Sequence, residues 1–217
     1  MKDKVIVLLS AGLDSSVNLM LAHKQDHLLA ALNVDYGQRA AGKERQAAKN
    51  LCQKLEVPLV EMSLDLFRSF SGNALTNKDV PLATNMDIHD LQQCQETAKN
   101  VWVPNRNGVL LNLAAALAED RGANYVIPGF NKEEAATFPD NSGEYMQALN
   151  QALAFSTQNT VKVRSYTLDM TKTEIYRMGQ DLGLQDSDYW YCYEDGEQPC
   201  GQCESCLRFA NAKRGSR

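Results

Sequence analysis

The chain alternates between short apolar runs and longer stretches in which apolar residues recur every three or four positions. The runs cover residues 5–9, 29–34, 59–63, 125–128 and 161–167, and their length predicts buried β-strands. The longer stretches cover residues 15–24, 42–55, 107–121, 144–156 and 171–182, and their periodicity predicts amphipathic helices. We therefore expect an α/β fold: a doubly wound, mainly parallel five-stranded sheet with helices on both faces.

One segment interrupts this alternation. Residues 66–104 are long and polar, with a glycine at 72 and prolines at 81 and 104. Connections of this length usually carry a function. We expect a lid or a substrate-binding loop here.

The first apolar run leads into the small-residue segment Ser10-Ala11-Gly12-Leu13-Asp14-Ser15-Ser16. A helix that begins in such a turn presents free N–H groups and the positive end of its dipole, which suit a phosphate. The turn lacks the lysine of a Walker loop and the three glycines of a dinucleotide fingerprint. Taken alone, the heptad also fits an ordinary strand-to-helix turn with serine caps.

Composition narrows the class of protein. The 217 residues are 44% hydrophobic and carry a net charge of −5; the acidic balance disfavours broad binding to nucleic acid. The sequence shows no signal peptide and no apolar stretch near the ~20 residues of a membrane helix. We expect a cytoplasmic protein with no nucleic-acid or membrane partner.

The cysteines are concentrated near the C-terminus, in the pattern Cys192-x7-Cys200-x2-Cys203-x2-Cys206. Four thiolates within reach of one another suit a closed, structural zinc site. An iron–sulfur cluster, a redox role and free thiols are the alternatives, but the seven-residue gap differs from ferredoxin spacing. We expect an α/β domain over residues 1–185 and a zinc-binding segment over residues 186–217 packed on it.

Further short elements follow the predicted strands or begin the predicted helices. They are Tyr36-Gly37-Gln38-Arg39, Val103-Pro104-Asn105-Arg106-Asn107, Gly129-Phe130-Asn131, Phe138-Pro139-Asp140, Thr171-Lys172-Thr173-Glu174-Ile175 and Cys192-Tyr193. With the heptad and the cysteine tail, they resemble the 7-cyano-7-deazaguanine synthase family of PP-loop ATP pyrophosphatases over nearly the whole chain. Three positions depart from the family pattern. Ala11 replaces a glycine, Phe138 replaces a tyrosine, and Lys132-Glu133-Glu134 stands where Thr-Asp is frequent.

The resemblance implies a ligase that forms C–N bonds. ATP would convert 7-carboxy-7-deazaguanine and ammonia to 7-cyano-7-deazaguanine through an adenylated carboxylate and an amide, in queuosine and archaeosine precursor biosynthesis. It also implies Mg²⁺, one structural Zn²⁺ per subunit and a homodimer. Another PP-loop enzyme, such as a tRNA-thiolating or amide-forming ATP pyrophosphatase, is the first alternative. A non-enzymatic zinc-ribbon module that binds nucleic acid is the second.

The same resemblance implies roles for individual residues. The expected catalytic residues are Asp14, Arg106 and Lys172. The expected ATP contacts are Leu8, Leu9, Ser10, Ala11, Gly12, Leu13, Asp14, Ser15, Ser16, Val17 and Asn18. The expected substrate contacts are Tyr36, Gln38, Arg39, Asn105, Arg106, Glu134, Phe138 and Asp140. The expected metal ligands are Cys192, Cys200, Cys203 and Cys206.

The chemistry of these side chains fits those roles. Lys172 would neutralise phosphate charge, and the planar fork of Arg106 suits a phosphate or a carboxylate. Glu134 or Asp140 would accept hydrogen bonds from a guanine-like edge, and Phe138 would stack on the ring. Taken singly, Lys172 also fits an exposed surface lysine, Arg106 a loop bridge and Phe138 a core residue.

Overall fold

The computed structural model of this chain describes residues 2–70 and 72–216. Within them, one sheet contains β1 Lys4–Leu8, β2 His27–Asp35, β3 Leu59–Ser63, β4 Tyr125–Ile127 and β5 Lys162–Val163. The strand order is β3-β2-β1-β4-β5, and each neighbouring pair is parallel. The predicted parallel five-stranded sheet is confirmed.

Helices cover both faces of this sheet. Over the described ranges the α-helices are α1 Leu13–Gln25, α2 Ala41–Lys54, α3 Leu91–Asn100, α4 Arg106–Asp120, α5 Lys132–Ala135, α6 Gly143–Ser156, α7 Lys172–Asp181 and α8 Glu204–Gly215. Short 3₁₀ helices lie at Asp65–Ser69, Pro139–Asn141 and Asp186–Asp188. None of the helices in this part of the chain is long and apolar enough to span a membrane.

The alternation of side chains along the strands builds one apolar cluster on each face. Ile6 packs in the cluster that α4 and α6 cover, whereas its neighbour Val7 packs in the cluster that α1, α2, α7 and α8 cover. Both residues are fully buried. The doubly wound arrangement therefore follows from strands that are apolar on both faces.

Residues 66–104 contain regular structure that the sequence pattern did not predict. Helix α3 begins after Asp90, whose carboxylate accepts hydrogen bonds from the backbone N–H groups of Gln92 and Gln93. It buries Cys94, Thr97 and Ala98, which are small or weakly apolar and leave little periodic signal. The expectation of a loop throughout this segment is wrong for Leu91–Asn100.

The last strand is shorter than predicted. The Arg164 N–H donates to Val126 O at 3.1 Å, and the ladder ends there. Farther along, the Thr167 hydroxyl donates instead to Phe130 O at 2.6 Å. Residues 164–167 are therefore half-buried to buried chain that bonds largely through its side chains rather than a continuation of the strand.

The order of the strands locates a site. Successive strands are placed outward from β1 on one side and from β4 on the other, so the sheet has a switch point between β1 and β4. Ligands of doubly wound proteins bind at the carboxyl ends of the strands at such a point.

Candidate active site

The turn between β1 and α1 presents backbone donors at this switch point. Gly12 precedes the first residue of α1, and no side chain caps that helix end. The N–H groups of the first turn therefore point toward any bound anion. The Ser10 hydroxyl lies 3.0 Å from the Ser15 hydroxyl and accepts a hydrogen bond from the Gly12 N–H at 3.3 Å. Both hydroxyls thus border the same turn.

Ala11 adopts a conformation that normally favours glycine. Its φ is 59° and its side chain is fully buried, and for alanine this region costs about 1–2 kcal/mol. The Trp190 N–H donates to Ala11 O at 2.8 Å. The departure from the family's glycine therefore leaves a strained residue that the C-terminal part of the chain supports.

Gly129 allows the end of β4 to contact the start of α1. A Cβ at this position would lie 2.6 Å from Ser15 N and 2.8 Å from Ser15 Cα. Since no side chain fits that space, only glycine permits the contact. The turn is consequently fixed between two strand ends.

Lys172 reaches this turn from α7. A capping box formed by Thr171 and Glu174 starts that helix and places Lys172 at its first position, as the Thr-x-x-Glu spacing predicts. The Lys172 ammonium contacts a carboxylate oxygen of Asp14 and lies 3.1 Å from a carboxylate oxygen of Glu134. Its side chain is 13% exposed, so the interpretation of an exposed surface lysine does not hold.

The charges of this trio depend on one another. Burial lowers the pKa of Lys172, but Asp14 and Glu134 outweigh that effect and raise it above its ordinary value. For Glu134, burial raises the pKa, but Lys172 outweighs it and the net shift is downward. Burial raises the pKa of Asp14 although Lys172 opposes the shift. The result is a fixed ammonium group beside the turn.

Asp14 retains one free oxygen. Its Oδ2 accepts a hydrogen bond from the Asn131 amide at 3.0 Å. Its Oδ1 is buried and has no hydrogen-bond partner among the described residues. An unpartnered carboxylate oxygen beside a phosphate-type turn is a fitting ligand for Mg²⁺.

A cavity of about 260 Å³ opens from the turn across the carboxyl ends of the strands. Many of the residues predicted to act in the site line it. These are Leu8, Leu9, Ser10, Gly12, Leu13, Asp14, Ser15, Tyr36, Gln38, Arg106, Glu134, Phe138 and Lys172. The structure thus gathers residues from six segments of the sequence around one space.

Other predicted residues lie outside that lining. They are Ala11, Ser16, Val17, Asn18, Arg39, Asn105 and Asp140. Asn18 is fully buried in α1, and Asn105 precedes α4 with a left-handed φ of 53°. Burial raises the pKa of Asp140, and Arg106 partly offsets that shift. The Asp140 carboxylate therefore interacts with the charge of Arg106, although Asp140 does not line the cavity.

Arg39 binds protein rather than the cavity. Its guanidinium donates to Ala74 O at 2.6 Å and to Val80 O at 2.5 Å, with further bonds to Asn77 O and to Glu194. The side chain is 8% exposed. Arg39 thus joins the polar segment after β3 to the cysteine tail.

The cysteine tail forms one compact sulfur cluster. The four Sγ atoms lie within 4.8 Å of one another, with Cys192–Cys203 at 4.0 Å and Cys200–Cys206 at 3.9 Å. Tetrahedral zinc with bonds of ~2.3 Å spaces its sulfurs by about 3.8 Å. The four cysteines can therefore hold one metal ion.

Two carboxylates that line the cavity were not predicted from the sequence as site residues. Glu44 extends from the first turn of α2, and Glu204 is 2% exposed at the start of α8. Nothing in the local sequence distinguishes either from a solvated helix residue. Asn131, which supports Asp14, did carry a signal, since it caps α5 by accepting from the Glu134 N–H at 2.9 Å.

The arrangement defines a class of protein. An anion-binding turn without the Walker lysine, placed at the switch point of a parallel sheet and served by a lysine from a distant helix, is typical of an α/β enzyme that uses ATP through a PP-loop. The fold and the site together exclude an isolated zinc ribbon, because the chain builds a five-stranded α/β sheet and only Cys192 of the four clustered cysteines lines the cavity.

Comparison with known proteins gives the family. A family model described as queuosine biosynthesis protein QueC matches residues 4–215, and the chain belongs to that family. It is 50% identical to a 7-cyano-7-deazaguanine synthase of Bdellovibrio bacteriovorus, over 96% of this chain and 92% of that protein. A second, from Carboxydothermus hydrogenoformans, is 42% identical over 99% of this chain and 100% of its own length. A third, from Pyrococcus furiosus, is 39% identical over 96% of this chain and 91% of its own length.

Proposed function

We propose that this protein uses ATP to convert 7-carboxy-7-deazaguanine and ammonia to 7-cyano-7-deazaguanine. The observation that carries the proposal is the meeting of the phosphate-type turn, Lys172 and Arg106 in one cavity of a chain from the QueC family. The relatives named above carry that activity in their names.

The first half of the reaction makes an amide. A substrate carboxylate oxygen attacks the α-phosphorus of ATP, and pyrophosphate leaves. Ammonia then attacks the adenylated carbon; AMP leaves and a proton is released. The turn N–H groups and Lys172 would hold the negative charge of the leaving pyrophosphate, which asks the protein for positioning and charge neutralisation.

The second half makes the nitrile. The amide oxygen attacks the α-phosphorus of a further ATP, and pyrophosphate leaves again. Loss of AMP and of the amide N–H protons then leaves the carbon–nitrogen triple bond. The same groups serve both halves, because each half transfers AMP to an oxygen on the same carbon.

Arg106 is the proposed contact for the reacting carboxylate. Its guanidinium lies 3.3 Å from the Tyr36 hydroxyl and 5.8 Å from the centre of that ring. Its Nε donates to the side-chain amide oxygen of Asn107, Oδ1, at 3.3 Å. Held on these sides, the guanidinium fork still faces the cavity.

Two metals belong to the proposal. Asp14, through its unpartnered Oδ1, would hold Mg²⁺, which neutralises phosphate charge when bound. Cys192, Cys200, Cys203 and Cys206 would hold one Zn²⁺; a site closed by four thiolates has a structural role. Metal analysis should find one zinc per chain, and iron in its place would reject the zinc assignment.

We also propose a homodimer, as the resemblance to the family implies, and a location in the cytoplasm, as expected from the sequence pattern. The chain mass is 24.1 kDa. Light scattering should therefore give twice that mass, and a value near the chain mass would reject the dimer.

The function is tested by incubating the metal-replete protein with ATP, Mg²⁺, ammonium and 7-carboxy-7-deazaguanine. Mass spectrometry should detect the amide and then the nitrile. Lys172→Gln should reduce product formation at least ~100-fold, because the fixed cation is lost. Lys162→Gln, on an exposed residue, is the matched control and should match the unmodified protein. Absence of both products with folded, metal-replete protein would reject the function.

A further inference from the structure

The lining of the cavity has two chemically different parts. One part is the phosphate-type turn with Lys172. The other is apolar and includes Val34, Leu75, Val101 and Leu110, which pack together in the cluster on the face of the sheet opposite to that of Ala11 and Leu13. Apolar walls of this kind suit the faces of a planar heterocycle.

Four carboxylates line the cavity in the described part of the chain: Asp14, Glu44, Glu134 and Glu204. Lys172 pairs with Asp14 and Glu134. Arg208 pairs with Glu204 at 2.8 Å. No ion pair among the described residues includes Glu44; its carboxylate accepts from the Gln38 amide at 2.8 Å. Of these four described carboxylates, Glu44 is therefore the one that is not paired with a cationic side chain and can still accept hydrogen bonds from a ligand.

Gln38 holds this carboxylate in place. The Gln38 amide oxygen accepts from the Tyr36 N–H at 2.9 Å, and the amide nitrogen donates to Val34 O at 3.3 Å as well as to Glu44 Oε2. Gln38 is 6% exposed. One oxygen of Glu44 is therefore oriented by the protein, and the other is left for a ligand.

A fixed carboxylate on an apolar slot selects for neighbouring N–H donors. The pyrimidine edge of a guanine-like ring offers a ring N–H next to an exocyclic amino group, and one carboxylate can accept from both. The adenine edge offers one amino group next to a ring lone pair, which a carboxylate repels. We propose that Glu44 binds the two N–H donors of the deazaguanine ring and selects that ring over adenine-like rings, an inference that rests on the proposed function.

The environment of Glu44 agrees with this role. Burial raises its pKa to about 7, although Gln38 and Arg106 oppose the shift. A ligand that donates two N–H groups favours the ionised form and so compensates the burial of the charge. The position also agrees with the topology, because Glu44 follows the carboxyl end of β2.

The test compares two substrates with Glu44→Gln, which keeps the shape but turns one acceptor into a donor. The substrates are 7-carboxy-7-deazaguanine and its analogue without the 2-amino group. The unmodified protein should prefer the former by about 100-fold or more in kcat/KM, because a site built for an N–H donor rejects the analogue that lacks it. Glu44→Gln should reduce kcat/KM for the former by a similar factor and bring the ratio near one. The KM for ATP should stay within about twofold.

Glu144→Gln is the matched control, because Glu144 is an exposed glutamate in the first turn of α6. It should leave both the ratio and the ATP KM unchanged. A Glu44→Gln protein that converts the acid with an unchanged ratio would overturn the assignment, and so would one in which only the KM for ATP rises. If the unmodified protein converts neither compound, the proposed function fails and this inference fails with it.

Discussion

Two segments that line the same cavity are held in place by different means. The phosphate turn, residues 10–16, is anchored in the core through Ala11 and Leu13 on one face of the sheet. The cysteine tail, residues 189–206, surrounds a small cluster built mainly from its own cysteines. The turn needs no cofactor to fold, because the sheet and α1 bury it. The tail is too short to bury a core of that size, and we propose that a metal ion held by its four cysteines takes that role.

The two segments also contact each other. The Trp190 N–H donates to Ala11 O at 2.8 Å, and Ala11 is the strained residue of the turn. The tail therefore supports the turn rather than merely covering it. This contact makes the comparison testable, since loss of the tail should disturb the turn whereas loss of strain in the turn should leave the tail intact.

The largest effect is expected from Cys203→Ser. Loss of one of four thiolates should abolish stoichiometric metal binding and release the tail, and a displacement of the turn by ~1 Å costs about 100-fold in rate. Metal content and nitrile formation measure this. Cys52→Ala, at an isolated cysteine in the core, is the control and should keep the metal. A Cys203→Ser protein that lacks the metal but keeps full activity would show that the tail folds by its own packing.

A smaller effect is expected at Arg39, which joins the tail to the segment after β3. Lysine cannot reach Ala74 O, Val80 O and Glu194 together, so buried acceptors lose their donors at a cost of about 2–3 kcal/mol. Urea unfolding of Arg39→Lys measures it. Arg45→Lys, at a partly exposed ion pair in the helix that follows Arg39, should cost less than ~1 kcal/mol. Equal losses of unfolding free energy in the two variants would mean that the hydrogen bonds of Arg39 do not stabilise the contact between the tail and the segment after β3.

The free energy of unfolding of the protein should depend on pH through the cavity residue Glu44. Because burial raises its pKa from 4.5 to about 7, the stability it contributes is full below pH 4.5 and is lost as pH rises through about 7. Asp35, Tyr36 and Arg106 face this group. Glu44→Gln should therefore be more stable than the unmodified protein by about 1–2 kcal/mol at pH 8 and no more stable at pH 4.5.

Urea unfolding at the two pH values checks this expectation. If Glu44→Gln gains the same unfolding free energy at both pH values, the gain comes from packing rather than from the loss of a buried charge. Glu44 belongs to α2 and not to the cysteine tail, so this variant changes the α/β part alone.

The smallest effect is expected from Ala11→Gly. Relief of the left-handed strain, ~1–2 kcal/mol, is partly offset by the loss of a buried methyl group, ~0.8 kcal/mol. A net gain of about 0.5 kcal/mol should follow, with the metal retained. Ala48→Gly, at a fully buried position inside α2, should instead lose about 1 kcal/mol. A loss in Ala11→Gly would mean that the turn is not strained.

Patterns among residues close in sequence predict the fold and part of the site. The apolar runs predict the parallel sheet, and Thr171-x-x-Glu174 predicts the helix start that presents Lys172. Helix α3 was missed because its buried face, with Cys94, Thr97 and Ala98, is weakly apolar. Arg39 was expected at the substrate because its element follows a strand end, yet its partner Glu194 is 155 residues away in the sequence.

The sequence by itself determined the α/β class, the phosphate turn and the cysteine cluster, because each depends on residues that are close along the chain. Only the tertiary structure decided that Ala11 is left-handed, that Arg39 binds backbone, and that Glu44 lines the cavity with one oxygen held by Gln38. Those properties depend on which distant groups share a buried space, and the free energy of a charge or a strained dihedral is set there rather than by its neighbours in sequence.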